Sequence, residues 1–137
     1  MTKARVLVVD DLELWRDILK DVLEENYVVD TAASKEEALG LLTAVGTYQV
    51  VITDIGLTKE ETNTDGIEIL KAVHKLSPTT QTIAISGRAA VVNKEQFEKE
   101  YHTLVYLERD YLSNNINGFI DWVAKGVALS REAEKKG

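Results

Sequence analysis

The chain has 137 residues, 45% of them apolar and 28% charged, enough for one globular domain with a proper core. A net charge of −7 argues against a nucleic-acid-binding surface, which needs clustered Lys and Arg. With no cysteine, disulfides, thiolate nucleophiles and thiolate metal sites are excluded; no apolar run approaches membrane-spanning length and the N-terminus lacks a signal-peptide pattern, so the expected location is cytoplasmic.

In chain order, Ala4 to Val9 reads as a first strand that ends in Asp10 and Asp11. Leu14, Trp15, Ile18, Leu19, Val22 and Leu23 then recur at helical spacing, predicting a helix from about Leu12 to Glu25. Tyr27 to Ala32 is a second, less apolar strand suited to a sheet edge. Ser34 followed by Glu37 is a capping-box signature, and the helix it opens stops at Gly46. Tyr48 to Thr53 is the third strand, closed by Asp54. A polar stretch follows, and Asp65-Gly66 reads as a turn signal before a helix that Ser77-Pro78 ends. Thr80 to Ile85 is the fourth strand, ending at Ser86-Gly87; a weaker helix spans Val91 to Tyr101. Thr103 to Leu107 is the fifth strand, ending in Glu108-Arg109-Asp110, and the last helix starts near Asn115. The expected division is one domain over residues 1–127 and a charged tail or linker start over 128–137, in either a stand-alone protein or a piece of a longer one.

Strands alternating with helices imply an α/β fold, a doubly wound five-stranded parallel sheet with right-handed crossovers and helices on both faces. The ligand site of such a sheet lies beyond the carboxyl ends of the strands. Asp10, Asp11, Asp54 and Ser86 end strands one, three and four and are expected to converge there. Each alone has a plainer reading, the aspartates as helix caps and Ser86 as a turn residue. Together, three carboxylates repel one another unless a cation neutralises them, and Mg²⁺ suits a hard-oxygen site that also handles phosphate. Asp11 and Asp54 are the expected direct ligands, with Asp10 acting through water and the backbone carbonyl of Gly56 adding an oxygen. Asp54 is also placed as a nucleophile toward a phosphoryl group. Ser86 is placed to hydrogen-bond a phosphoryl oxygen, with Gly87 leaving room for the incoming group.

The sequence resembles the response-regulator receiver domains over roughly Lys3 to Val127. The resemblance rests on Val-Leu-Val-Val-Asp-Asp at 6–11, Val-Val-Ile-Thr-Asp at 50–54, Asp-Gly-Ile-Glu-Ile-Leu-Lys at 65–71, Ile-Ala-Ile-Ser-Gly at 83–87 and Val-Tyr-Leu at 105–107. It implies a flavodoxin-like sheet of strand order 2-1-3-4-5. It also implies Asp54 as phosphoacceptor, Asp10 and Asp11 as the Mg²⁺-positioning pair, Ser86 as switch hydroxyl and Tyr106 as switch aromatic. A histidine kinase or phosphotransfer protein would be the donor. The output would be a downstream protein or a homodimer, reached through the face of helix four, strand five and helix five. The function implied is a signalling switch, not a metabolic enzyme.

Two stretches depart from that pattern. Where the family has Lys-Pro, this chain has Arg109-Asp110, predicting a trans peptide and a rearranged loop at 109–112, with Arg109 either reaching the phosphate or pointing away. An insertion at about 58–64 reads as a solvated loop, and Arg88 offers a substitute charge for the missing lysine. These departures support the alternative of a pseudo-receiver, the same fold acting as a phosphorylation-independent interaction module. A phosphatase of the haloacid-dehalogenase kind is disfavoured, because its second Asp stands two residues on and here that residue is Leu12. His74 and His102 carry no motif, and His74 reads as a surface residue.

Overall fold

The computed structural model describes residues 3–55, 65–87 and 93–136. The element order is β1 (Arg5–Val9), α1 (Glu13–Leu23), β2 (Val28–Ala32), α2 (Lys35–Ala44), β3 (Val50–Asp54), α3 (Asp65–Leu76), β4 (Gln81–Ser86), α4 (Lys94–Tyr101), β5 (Val105–Glu108), α5 (Arg109–Asn114) and α6 (Ile116–Lys136). The five strands form one parallel sheet in the order β2-β1-β3-β4-β5, as the sequence predicts.

The continuous apolar runs are explained by burial on both faces. Successive side chains of a strand alternate between the two faces. Val6, Val8, Val50, Ile52, Ile83, Ile85, Val105 and Leu107 point to one face, where Leu19 and Leu23 of α1 and Phe119, Val123 and Val127 of α6 cover them. Leu7, Val9 and Val51 point to the other, under Ala38 of α2 and Ile69 and Val73 of α3. Ala84 and Tyr106 continue that second face against Leu70 of α3 and Phe97 of α4. The outer strand β2 is only partly buried, as an edge strand with fewer apolar residues must be.

Local chemistry sets the helix ends. Ser34 Oγ accepts the Glu37 N–H at 3.2 Å and caps α2, while Glu37 Oε2 accepts the N–H of Ala33, one residue before the cap, at 3.2 Å. Gly46 at φ +97° follows its C-terminus in the left-handed conformation that glycine adopts freely.

One segment differs from the sequence reading. The stretch 109–112, expected as a rearranged loop, lies in the short helix α5, with Leu112 buried against the main core and no cis peptide among the described residues. The charged stretch 128–136 forms the end of α6. Its buried stripe continues through Gly126, Val127 and Ser130, where a Cβ on Gly126 would stand 3.0 Å from Val50 Cγ2. Gln49 Nε2 also donates to Glu134 Oε1 at 3.1 Å, fixing the helix end to the sheet. No described helix is long and apolar enough to cross a membrane.

Candidate functional site at the strand ends

Register brings the acidic residues together. Val9 pairs with Thr53, so Asp10, one step beyond β1, stands level with Asp54 at the end of β3. Asp54 pairs with Ile85 and Ser86 with Glu108, so Ser86 and Arg109 complete the rim across β4 and β5. One carboxylate oxygen from each of Asp10, Asp11 and Asp54 lies within 4.8 Å of the others. Asp10 and Asp54 are buried, at 2% and 5% exposure, whereas Asp11 faces solvent.

The backbone around these residues explains why they are fixed. Asp10 Oδ1 accepts the Leu12 N–H at 3.0 Å, and the Asp10 carbonyl accepts Arg16 Nη1 at 2.7 Å. This bond is an Asx turn just ahead of α1, and it leaves the second Asp10 oxygen directed into the site. The Asp65-Gly66 pair is more than a turn. These are the first residues of α3, and a Cβ on Gly66 would land against Ile55 Cα and the Asp54 carbonyl oxygen, well inside van der Waals contact. Only glycine lets α3 close on the backbone that follows Asp54.

Arg109 enters the site rather than pointing away. Its Nη2 donates to Asp10 Oδ2 at 2.8 Å and also to Asp54 Oδ2. Its guanidinium carbon lies over the Trp15 ring, 5.0 Å from the ring centre, a cation–π contact. Its stem runs over Gly87, where an added Cβ would meet Arg109 Cδ and Nε at 3.3 Å. The space that the sequence reading assigned to an incoming group is therefore taken by the Arg109 side chain. Arg109 Nη1 is buried with no hydrogen-bond partner among the described residues, a spare donor at the edge of the acidic cluster.

Burial pushes the Asp10 carboxyl up to about 6, and the neighbouring Asp54 charge adds to the rise. The Leu12 N–H and the Arg109 guanidinium pull it down without overcoming that cost. Ser86 and Tyr106 are both buried and share a hydrogen bond. Tyr106 points inward and meets Phe97 edge-on, with ring centres 5.3 Å apart. Burial raises its phenol above the usual value, the Ser86 bond opposes that, and Glu108 and Asp54 add to it. The Tyr106 N–H donates to Glu98 Oε2 at 2.8 Å, which ties α4 to β5.

Gly56, Arg88 and the insertion at 58–64 lie outside the described residues. Sequence reasoning missed Trp15, read as one more apolar position of α1, and Arg16; nothing local to either residue signals its role. It also missed that exposed His74 stacks on His102, with ring centres 3.9 Å apart.

The donor set suits a hard divalent cation. Mg²⁺ takes hard oxygen ligands, and Asp10, Asp11 and Asp54 offer three carboxylate oxygens within 4.8 Å of one another.

The family model described as the response regulator receiver domain matches residues 6–110. No curated protein matches the sequence. Among solved structures, a CheY-like response regulator receiver domain protein from Methanospirillum hungatei JF-1 is 27% identical, with a TM-score of 0.80, covering 99% of this chain and 100% of that one. The response regulator protein TrrA from Thermotoga maritima, solved in complex with Mg(2+)-BeF, is 28% identical, with a TM-score of 0.71, covering 90% of this chain and 98% of that one. The signal receiver domain of an HD domain-containing protein from Pseudomonas fluorescens Pf-5 shares the fold at 20% identity, with a TM-score of 0.81, covering 96% of this chain and 99% of that one.

Proposed function

Because this chain belongs to the response regulator receiver domain family, we propose that it is a phosphorylation switch of two-component signalling with Asp54 as its acceptor. Receiver domains are signalling domains rather than metabolic enzymes, and the chemistry proposed for this one is confined to its own modification. The observation that carries the reading is the convergence of Asp10, Asp11 and Asp54 at adjoining strand ends.

Asp54 Oδ would attack the phosphorus of a phosphohistidine on a histidine kinase or phosphotransfer protein. The new P–O bond would form as the P–N bond breaks, and the freed imidazole would take its proton from solvent. Asp10, Asp11 and Asp54 would hold Mg²⁺, with the Gly56 carbonyl as a further oxygen. Bound there, the ion would neutralise phosphoryl oxygens and orient the group for in-line transfer. Arg109, through its spare Nη1, takes the place of the family lysine toward a phosphoryl oxygen. Ser86 would turn its hydroxyl to the same group. Tyr106, already inward and bonded to Ser86, would pass that change to α4 through Glu98 and Phe97.

The face of α4, β5 and α6 is the proposed docking surface for a downstream protein or a second copy; α6 is the element that the sequence reading counted as helix five. Residues 1–127 remain the proposed switch unit, with the end of α6 as a connection. A cytoplasmic setting fits this role. The test is ¹⁹F NMR with Mg²⁺ and beryllofluoride. A protein-bound signal in wild type, absent in Asp54→Asn and lost on chelation, supports the reading; an unchanged signal in Asp54→Asn overturns it.

A second reading, the pseudo-receiver, is favoured by the Arg109 bridge itself, since Asp10 and Asp54 already have a cation between them. A partner bound equally well by wild type and by Asp54→Asn, with no beryllofluoride adduct, would support it.

A further inference from the structure

Arg109 is a cation built into the acidic cluster, and it is held from several directions. Asp10 Oδ2 and Asp54 Oδ2 accept from the same Nη2. The guanidinium carbon lies 5.0 Å from the centre of the Trp15 ring, and the stem occupies the ground over Gly87. Asp10 Oδ1 is engaged by the Leu12 N–H, so Oδ2 is the oxygen through which Asp10 faces the cluster. A divalent ion coordinated by these carboxylates would sit against a buried guanidinium, and like charges that close repel strongly in a site with little water.

We propose that Arg109 is an internal competitor of the divalent cation: Mg²⁺ and the Arg109 bridge are alternative occupants of Asp10 and Asp54. Loading the site requires Arg109 Nη2 to leave both carboxylates. This inference rests on the metal part of the reading above. Release of the guanidinium also changes its contact with the Trp15 ring. A lysine would make that contact less well, because an ammonium is not a planar guanidinium.

The test is Mg²⁺ binding without any phosphoryl donor, by calorimetry and by Trp15 emission in a Trp122→Phe background. It compares wild type, Arg109→Gln and Arg109→Lys. Arg109→Gln is expected to bind Mg²⁺ about ten-fold tighter or more than wild type, a difference of one decade in the dissociation constant. Mg²⁺ is expected to change Trp15 emission strongly in wild type and weakly in Arg109→Gln. Arg109→Lys, which keeps the charge and loses the planar guanidinium, falls between them. If only Arg109→Lys folds, an affinity no tighter than wild type overturns the inference. Equal affinities for wild type and Arg109→Gln overturn it and leave the phosphorylation reading standing. No Mg²⁺ binding to any of the three overturns both it and the metal part of that reading.

Discussion

Arg109 Nη2 donates to Asp10 Oδ2 at 2.8 Å, joining residues 99 positions apart across the carboxyl ends of β5 and β1. The same nitrogen also reaches Asp54 Oδ2. Both carboxylates are buried, and the arginine is 14% exposed. Removing one partner of a buried pair strands the other charge. Arg109→Ala is therefore expected to cost the Mg²⁺-free protein about 3 kcal/mol, at the lower end for buried pairs. Urea unfolding checks this. Asp10→Asn in the same background should recover part of the loss, because one of the stranded charges is then gone.

The Asp10 carboxyl gives the Mg²⁺-free protein a defined pH dependence. Its folded pKa is about 6, raised chiefly by burial, whereas an unfolded Asp titrates near 3.9. The folded state holds an extra proton between these values. This contribution to stability is fully present below about pH 4 and is lost as pH rises through about 6, with a slope of at most about 1.4 kcal/mol per pH unit. Urea midpoints from pH 4 to 7 should fall more steeply for wild type than for Asp10→Asn.

Gly66 sets the distance between α3 and the backbone after Asp54. An added methyl has no space against Ile55 Cα and the Asp54 carbonyl. Gly66→Ala should cost about 1–3 kcal/mol, as overpacking does. It should also weaken Mg²⁺ binding, because the displaced backbone carries Asp54. Loss of stability with metal affinity intact would show that Asp54 is positioned independently of α3.

Ser86 stabilises the phenolate of Tyr106 relative to the phenol, against burial, which raises it. In Ser86→Ala that opposing influence is absent, so Tyr106 should ionise at still higher pH, read by absorbance against a Tyr106→Phe control. The lost hydrogen bond should cost about 1 kcal/mol.

The sheet was legible because strands buried on both faces must be apolar at every position. β1 and β3 are such runs, and each stops at a carboxylate. Parallel pairing followed from the alternation with helices, and strand order from the family resemblance. The acidic cluster was legible for the same reason, since strand ends in this fold converge.

What was not legible depends on distant geometry or on small residues. The destination of Arg109 is set by Trp15, Gly87, Asp10 and Asp54, which no local pattern links. α5 has only six residues and one buried apolar side chain, Leu112, so it reads as a loop. Beyond Val127 the buried residue of α6 is Ser130, which is not apolar, so an apolar stripe could not reveal that end. Gly66 looked like a turn residue because glycine at a helix start and glycine at a close backbone approach are the same letter.

The acceptor role of Asp54 is tested most directly by intact mass after incubation with Mg²⁺ and acetyl phosphate. Wild type is predicted to gain one phosphoryl group; Asp54→Asn, and wild type with chelator, are predicted to gain none. Wild type that stays unmodified at saturating Mg²⁺, or Asp54→Asn that gains the same mass, would contradict the account.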